Sequence, residues 1–154
     1  MPLFDSETRD QLRQTYAQAW RKHLAASPLT PLESTIAEVI LAHPEYQAIV
    51  SDANLAVAFE PNALGNENPF LHMGLHLAVR DQVSIDRPPG VRELHKLLQA
   101  RYGDLHGAEH ALMEALGETL WQAQRSGHPP DEAHYLALAR RRLEASGRGA
   151  PRKR

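Results

Sequence analysis

The chain has 154 residues, a formal net charge of −2 and no cysteine, so it can bury a core but offers no disulfide and no thiolate ligand. Charged residues occur at once in the N-terminal segment MPLFDSETRD, and no run approaches the roughly 20 apolar residues that a membrane span needs. We therefore expect a cytoplasmic protein in which nitrogen and oxygen atoms would hold any metal.

The first two predicted helices have clear start signals. Residues 5–26 show apolar side chains at helical spacing, with Asp5 or Ser6 as the cap. Residues 30–33, TPLE, form a capping box with proline at the first helical position, and they predict a second helix that runs to Ala42.

A break and an irregular stretch follow. His43 precedes Pro44, which disfavours the α conformation at His43, and a short helix can begin at Pro44. Residues 52–67 contain a proline, a glycine and three asparagines, and they are predicted as a long loop.

The fourth predicted helix covers residues 69–86, with Asn68 as the N-cap and Pro69 at the first helical position. Its apolar side chains point in nearly all directions around the helix axis. This distribution is typical of a helix buried in the middle of a bundle.

Three further helices are predicted at residues 91–102, from Asp104 to the turn at Gly127, and after Asp131. No stretch alternates convincingly with a period of two, and no repeat recurs at a fixed spacing. The sequence therefore predicts an all-α fold, a single-domain bundle of about six to seven helices covering residues 1–146.

The C-terminal residues are strongly basic. The last fifteen carry a net charge of +6, against −8 for the first 139. Residues 147–154 are too polar and too rich in glycine and proline to fold alone, so we interpret them as a disordered basic tail. The tail is either a solvated extension or a weak contact for nucleic acid or a partner protein, although no aromatic residue interleaves with its charges.

Two pairs of histidines carry the main functional signal. His72 and His76 are one helical turn apart, and so are His106 and His110, with Glu114 a further turn along. Short connections make consecutive helices antiparallel, so the fourth and sixth should be parallel, with both pairs near their starts and at the same level. An antiparallel second helix would add Glu38, His43 and Glu45, although His43 also suits a helix-end capping role.

These residue types predict a metal site of nitrogen and oxygen ligands between two parallel helices. Zinc, iron, manganese or nickel would each fit, and several carboxylates would also allow a two-metal centre. A metal-dependent hydrolase or oxidoreductase acting on a small molecule is one interpretation, since a bound ion can lower the pKa of water, polarise an oxygen or, as iron, bind dioxygen.

The alternative is a non-enzymatic interaction protein. In that interpretation the histidines form a buried hydrogen-bonded network, and the basic tail contacts nucleic acid or a partner protein. The sequence shows no serine–histidine–aspartate signature, no P-loop and no glycine-rich dinucleotide turn. The oligomeric state stays open.

Several segments resemble a known family. They are LTPLE (29–33), HPEY (43–46), NPFLHMGLHLAVRDQ (68–82), SIDRPPG (84–90), HGAEHALMEALGE (106–118), WQAQRSG (121–127) and PPD (129–131).

Together these segments resemble a family of small bacterial proteins, mostly proteobacterial, known as a domain of unknown function. The resemblance implies a bacterial, cytoplasmic protein and implies no particular activity. The family pattern has glutamate where this chain has Asp81, and often histidine where it has Gln47, so neither position is an obligatory ligand. In architecture alone the arrangement is also similar to hemerythrin-like and DinB-like metal-binding bundles.

Overall fold

Helices make up the regular structure of the computed structural model, which describes residues 6–59 and 68–146. Within these ranges no strand occurs, and the predicted all-α fold is confirmed. The helices are α1 (Ser6–Leu24), α2 (Pro31–Leu41), a 3-10 turn (Pro44–Tyr46), α3 (Ala53–Ala58), α4 (Pro69–Ile85), α5 (Val91–Tyr102), α6 (Leu105–Ser126) and α7 (Glu132–Ser146).

Local capping explains most of these boundaries. The Thr30 hydroxyl accepts from the Glu33 backbone N–H, and the Glu33 carboxylate accepts from the Thr30 N–H, so the predicted capping box of α2 is confirmed. The side chain of Asn68 accepts from the backbone N–H of Phe70 at the start of α4. Helix α6 ends at Gly127, whose φ of 74° is a left-handed value that glycine adopts without strain.

The prediction of one long loop at residues 52–67 was wrong in its first part. Asp52 caps a short helix, α3, by accepting from the backbone N–H groups of Asn54 and Leu55. Ala56 of that helix is fully buried, because α3 packs against α1. Residues 60–67 of the predicted loop lie outside the described residues, and so does the predicted tail at 147–154.

Helix α4 is buried over part of its circumference, so the expectation of a helix buried on all sides was wrong in part. The side chains of Phe70, Met73, His76 and Val79 are buried and cover about half of the helix circumference. The side chains of Leu71 and Ile85 are exposed. Apolar content alone therefore overestimated how much of this helix is enclosed.

Residue contacts divide the chain into two compact units, Met1–Leu77 and Ala78–Arg154, with the division inside α4. In the first unit α1 packs against α2 and α3, and in the second α5 and α7 pack against α6 and against each other. None of the helices in the described ranges has both the length and the hydropathy to cross a membrane.

Arg13 of α1 anchors the C-terminal end of α3 within the first unit. Its buried guanidinium donates to the carbonyl oxygen of Phe59 at 2.6 Å, and it lies 4.8 Å from the centroid of the Phe70 ring. A second, longer hydrogen bond at 3.4 Å reaches the carbonyl of Ala56. One side chain thus satisfies carbonyl groups at the C-terminal end of α3 and packs on an aromatic face.

Glu33 should make the stability of the protein depend on acid pH. The Thr30 backbone N–H, and then the Lys22 ammonium at 3.0 Å, hold the pKa of its carboxyl below the usual value. A lowered pKa in the folded state contributes stability above the unfolded-state pKa of about 4.3, and that stability is lost as the pH falls through the folded-state pKa. We expect Glu33→Gln to flatten the acid side of a plot of melting temperature against pH.

Lys22→Gln is the matched comparison, because it keeps the hydrogen bond from Thr30 and should flatten that slope by less. An acid slope in Glu33→Gln identical to that of the wild type would contradict this account.

Candidate metal centre

Three imidazoles cluster in the first unit. His43 lies between α2 and the 3-10 turn, and His72 and His76 lie in the first two turns of α4. The ring of His43 is 4.7 Å from that of His76 and 5.0 Å from that of His72, measured between centroids. His43 and His76 are 4% and 1% exposed, so both imidazoles are held in the interior.

The backbone fixes the tautomer of His43. Its Nδ1 lies 2.8 Å from the carbonyl oxygen of Val39, which can only accept, so Nδ1 carries the proton and Nε2 carries the lone pair of the neutral ring. The ring also stacks on Tyr46, with centroids 5.2 Å apart and planes only 6° from parallel. Metal-binding histidines commonly donate their second N–H to a carbonyl in this way, which orients the ring.

That hydrogen bond also serves the end of α2, because the carbonyl of Val39 lies in the last turn, where carbonyl groups lack partners within the helix. The helix-end role considered for His43 and a role as metal ligand are therefore compatible, since each uses a different ring nitrogen.

The second histidine pair lies at the start of α6, as predicted. Asp104 caps the helix by accepting from the Gly107 N–H, which places His106 in the first turn and His110 in the second. Their ring centroids are 4.2 Å apart. His106 is exposed and His110 is half-buried.

Within the described part of the chain, four histidines form a group that could hold a metal ion. One ring nitrogen from each of His43, His76, His106 and His110 lies within 4.8 Å of the others. Three of the four are histidines of the two predicted pairs, and the fourth is His43, which the sequence supported less strongly.

The other predicted ligands are not members of this group. His72 is outside the group of four, although its ring contacts those of His43 and His76. Glu114 is 60% exposed, and its carboxylate pairs with Arg142 of α7. Glu38 and Glu45 are also exposed and outside the group. The group therefore contains nitrogen ligands and no carboxylate.

The sequence interpretation missed a buried ion pair in the second unit. The carboxylate of Glu109 on α6, 3% exposed, accepts from Arg80 Nε on α4 at 3.0 Å. Burial lowers the pKa of His95, and the negative charge of Glu109 opposes that shift. The sequence contained a signal for the burial of Glu109, because this residue lies three residues before Leu112 and four before Met113, on the apolar face of α6.

Tyr46 was missed as well. It lies three residues after His43, a spacing that brings side chains together in a 3-10 turn. The motif HPEY therefore carried the information that an aromatic ring could stack on the histidine.

Comparison with protein-family models gives a match. Residues 8–141 match the family model DUF1841, described as a domain of unknown function, and this range includes every histidine of the group of four. Neither a curated protein nor a solved structure matches the chain significantly. The resemblance seen in the sequence motifs is thereby confirmed at the level of the family: the chain belongs to DUF1841.

Proposed function

We propose that this protein binds one transition-metal ion through His43, His76, His106 and His110. The observation that carries the proposal is that one ring nitrogen from each lies within 4.8 Å of the others. The tautomer of His43 supports it, because the hydrogen bond to Val39 leaves Nε2 as the nitrogen able to bind an ion.

The spacing suits closure around one ion. Nitrogens bound at about 2.1 Å in a tetrahedral site are roughly 3.4 Å apart. The widest separation in the group would therefore have to shorten by at most about 1.4 Å from 4.8 Å. A site of this size suits one ion better than two.

The ligand types favour some metals over others. Imidazole suits zinc, iron and nickel, whereas manganese, magnesium and calcium prefer oxygen ligands, and the group has no carboxylate. An ion held in this way could activate a bound water for hydrolysis or, as iron, support oxidation. We therefore favour a metal-dependent hydrolase or oxidoreductase that acts on a small molecule.

Elemental analysis of protein purified without a histidine tag tests the proposal. We expect about one ion per chain in the wild type, and a loss of at least about tenfold in the double variant His76→Ala, His110→Ala. His128→Ala removes an exposed histidine from the turn before α7 and should keep the metal. Wild-type protein with no stoichiometric ion after incubation with zinc, iron or nickel would refute the proposal.

A second candidate function is supported by the ring contacts in the first unit. His72 lies 4.9 Å from His76 and 6.0 Å from Tyr46, so histidines and tyrosine form a connected polar cluster that can be structural without a metal. The protein would then be a non-enzymatic interaction protein, and its basic tail would contact nucleic acid or a partner protein. Deleting residues 147–154 should then abolish partner binding without changing the melting temperature.

A further inference from the structure

The second unit contains a cavity of about 620 Å³ between the end of α6 and the start of α7. A volume of this order is typical of small-molecule sites, which range from roughly 300 to 1,000 Å³. One face of α6 forms part of the wall through Thr119, Ala123 and Ser126, and the wall also includes Asp131 and His134. None of the described residues that line this cavity belongs to the group of four histidines, so it is a separate candidate site.

The charges around the cavity favour a cation. Asp131 is the one carboxylate among the described lining residues, and none of them is lysine or arginine. The C-terminal end of α6, a helix of 22 residues, adds a partial negative charge of roughly half an elementary charge. The start of α7 carries a similar positive charge, but the full negative charge of Asp131, which caps it, is larger. The wall therefore attracts a cationic ligand and repels an anionic one.

The hydrogen-bonding groups of the wall favour a ligand that donates. The hydroxyl of Thr119 donates to a carbonyl one turn earlier in α6 at 2.8 Å, and that of Ser126 donates to a carbonyl three residues earlier at 3.4 Å. Each hydroxyl has a single proton, so both can only accept from a ligand. The Asp131 carboxylate accepts the backbone N–H of His134 at 3.1 Å, and its further lone pairs can accept from a ligand.

His134 gives an independent indication of a ligand. It lines the cavity, and its Nε2 is buried and makes no hydrogen bond within the described part of the chain. Buried polar atoms in folded proteins nearly always have a partner, so this nitrogen points to one that the described residues do not supply. In the tautomer with the proton on Nδ1, Nε2 accepts from an N–H donor.

We infer that this cavity binds a small organic cation, whose ammonium or guanidinium group donates to the carboxylate of Asp131. The apolar part of the molecule packs on Ala123 and Pro129, which also line the cavity. A hydrogen bond between a charged donor and a carboxylate is roughly twice as strong as a neutral one, so the charge of the ligand sets the selectivity. The site does not depend on the metal proposal. Ammonium and guanidinium groups share this chemistry, and the experiment separates them.

The test titrates full-length protein with benzylamine and with benzylguanidine, with benzyl alcohol as the neutral counterpart, and follows the backbone amides by NMR. We expect saturable shifts centred on residues 119–134. The half-saturating concentration of at least one cation should be at least about tenfold below that of benzyl alcohol. The cation that binds more tightly identifies the ammonium or the guanidinium class.

Three results would overturn the inference. They are the absence of a saturable shift with either cation, benzyl alcohol binding as tightly as both cations, and shifts centred on the exposed ring of Trp121 instead of on the cavity.

Asp131→Asn locates the charge that binds the cation, because asparagine caps helices about as well as aspartate. It should raise the half-saturating concentration of the better cation by about tenfold. Glu132→Gln is the matched control, since it removes an exposed negative charge that does not line the cavity, and its effect should stay below about threefold. Equal effects of the two variants would contradict the inference.

Ala123→Leu tests the cavity without touching the cap of α7. Leucine suits a helix and fills space beside the cation, so this variant should also raise the half-saturating concentration, by about threefold or more. Unchanged binding of the cation in Ala123→Leu would place the ligand outside the cavity and would overturn the inference.

Discussion

Removing the ion with a chelator is expected to lower the melting temperature of the wild-type protein by about 5–10 °C. An ion that binds only the folded state, present at a hundred times its dissociation constant, stabilises that state by about 2.7 kcal/mol. For a chain of about 150 residues, each kcal/mol changes the melting temperature by about 2–4 °C. Thermal unfolding followed by circular dichroism, with added zinc and then with excess chelator, measures the difference.

The double variant His76→Ala, His110→Ala provides the control, because it should melt at the same temperature with zinc and with chelator. Its circular dichroism spectrum shows whether it still folds. If it does not, His106→Gln, at an exposed position, replaces it and should show a reduced zinc effect. A wild-type melting temperature that zinc and chelator leave unchanged would contradict the metal proposal and favour the structural histidine network.

The helices could be predicted well wherever a local signal sets their ends. The capping box at Thr30 and Glu33, the cap at Asn68 and the glycine at 127 each act within a few residues, so the sequence alone reveals them. Helix α5 was predicted with its observed limits, Val91–Tyr102, for the same reason. Helix α3 was missed because its six residues are too few to show a helical period, and its burial depends on α1.

The face that a helix buries was harder to predict, because it depends on the neighbouring helices. In α6 the apolar residue Leu105 is exposed, whereas the charged residue Glu109 is buried, so residue polarity alone does not identify the buried face. Glu114 of the same helix is exposed and pairs with Arg142. The four-residue spacing correctly predicted that His106 and His110 lie side by side. It could not show whether Glu114, one turn further along, belongs to the same site.

His43 shows a different limit. Its position before Pro44 indicated a helix end, and its place near the other histidines depended on an assumed packing of α2. The decisive feature is the hydrogen bond from Nδ1 to the Val39 carbonyl. Its acceptor is a backbone atom that every residue type has, so the sequence does not predict this bond. A candidate ligand at a helix end is therefore harder to identify from the sequence than a pair spaced along one helix.

Two ion pairs of α6 should differ sharply in their contribution to stability. Glu109 is 3% exposed and its partner Arg80 is 26% exposed, whereas Glu114 and Arg142 are 60% and 40% exposed. Removing one member of a buried pair leaves the other charge without compensation, which typically destabilises a protein by about 3–5 kcal/mol. An exposed pair contributes about 0–1 kcal/mol, because water and salt screen it.

We therefore expect Glu109→Gln to destabilise the protein by about 3 kcal/mol, the low end of the buried range because Arg80 keeps some contact with water. Glu114→Gln is the matched control on the same helix, with an expected change of at most about 1 kcal/mol. Urea unfolding in the presence of chelator gives both free energies without a contribution from metal. Equal losses in the two variants would show that burial does not distinguish these pairs, and that Glu109 is not the residue that fixes α6 to the C-terminal half of α4.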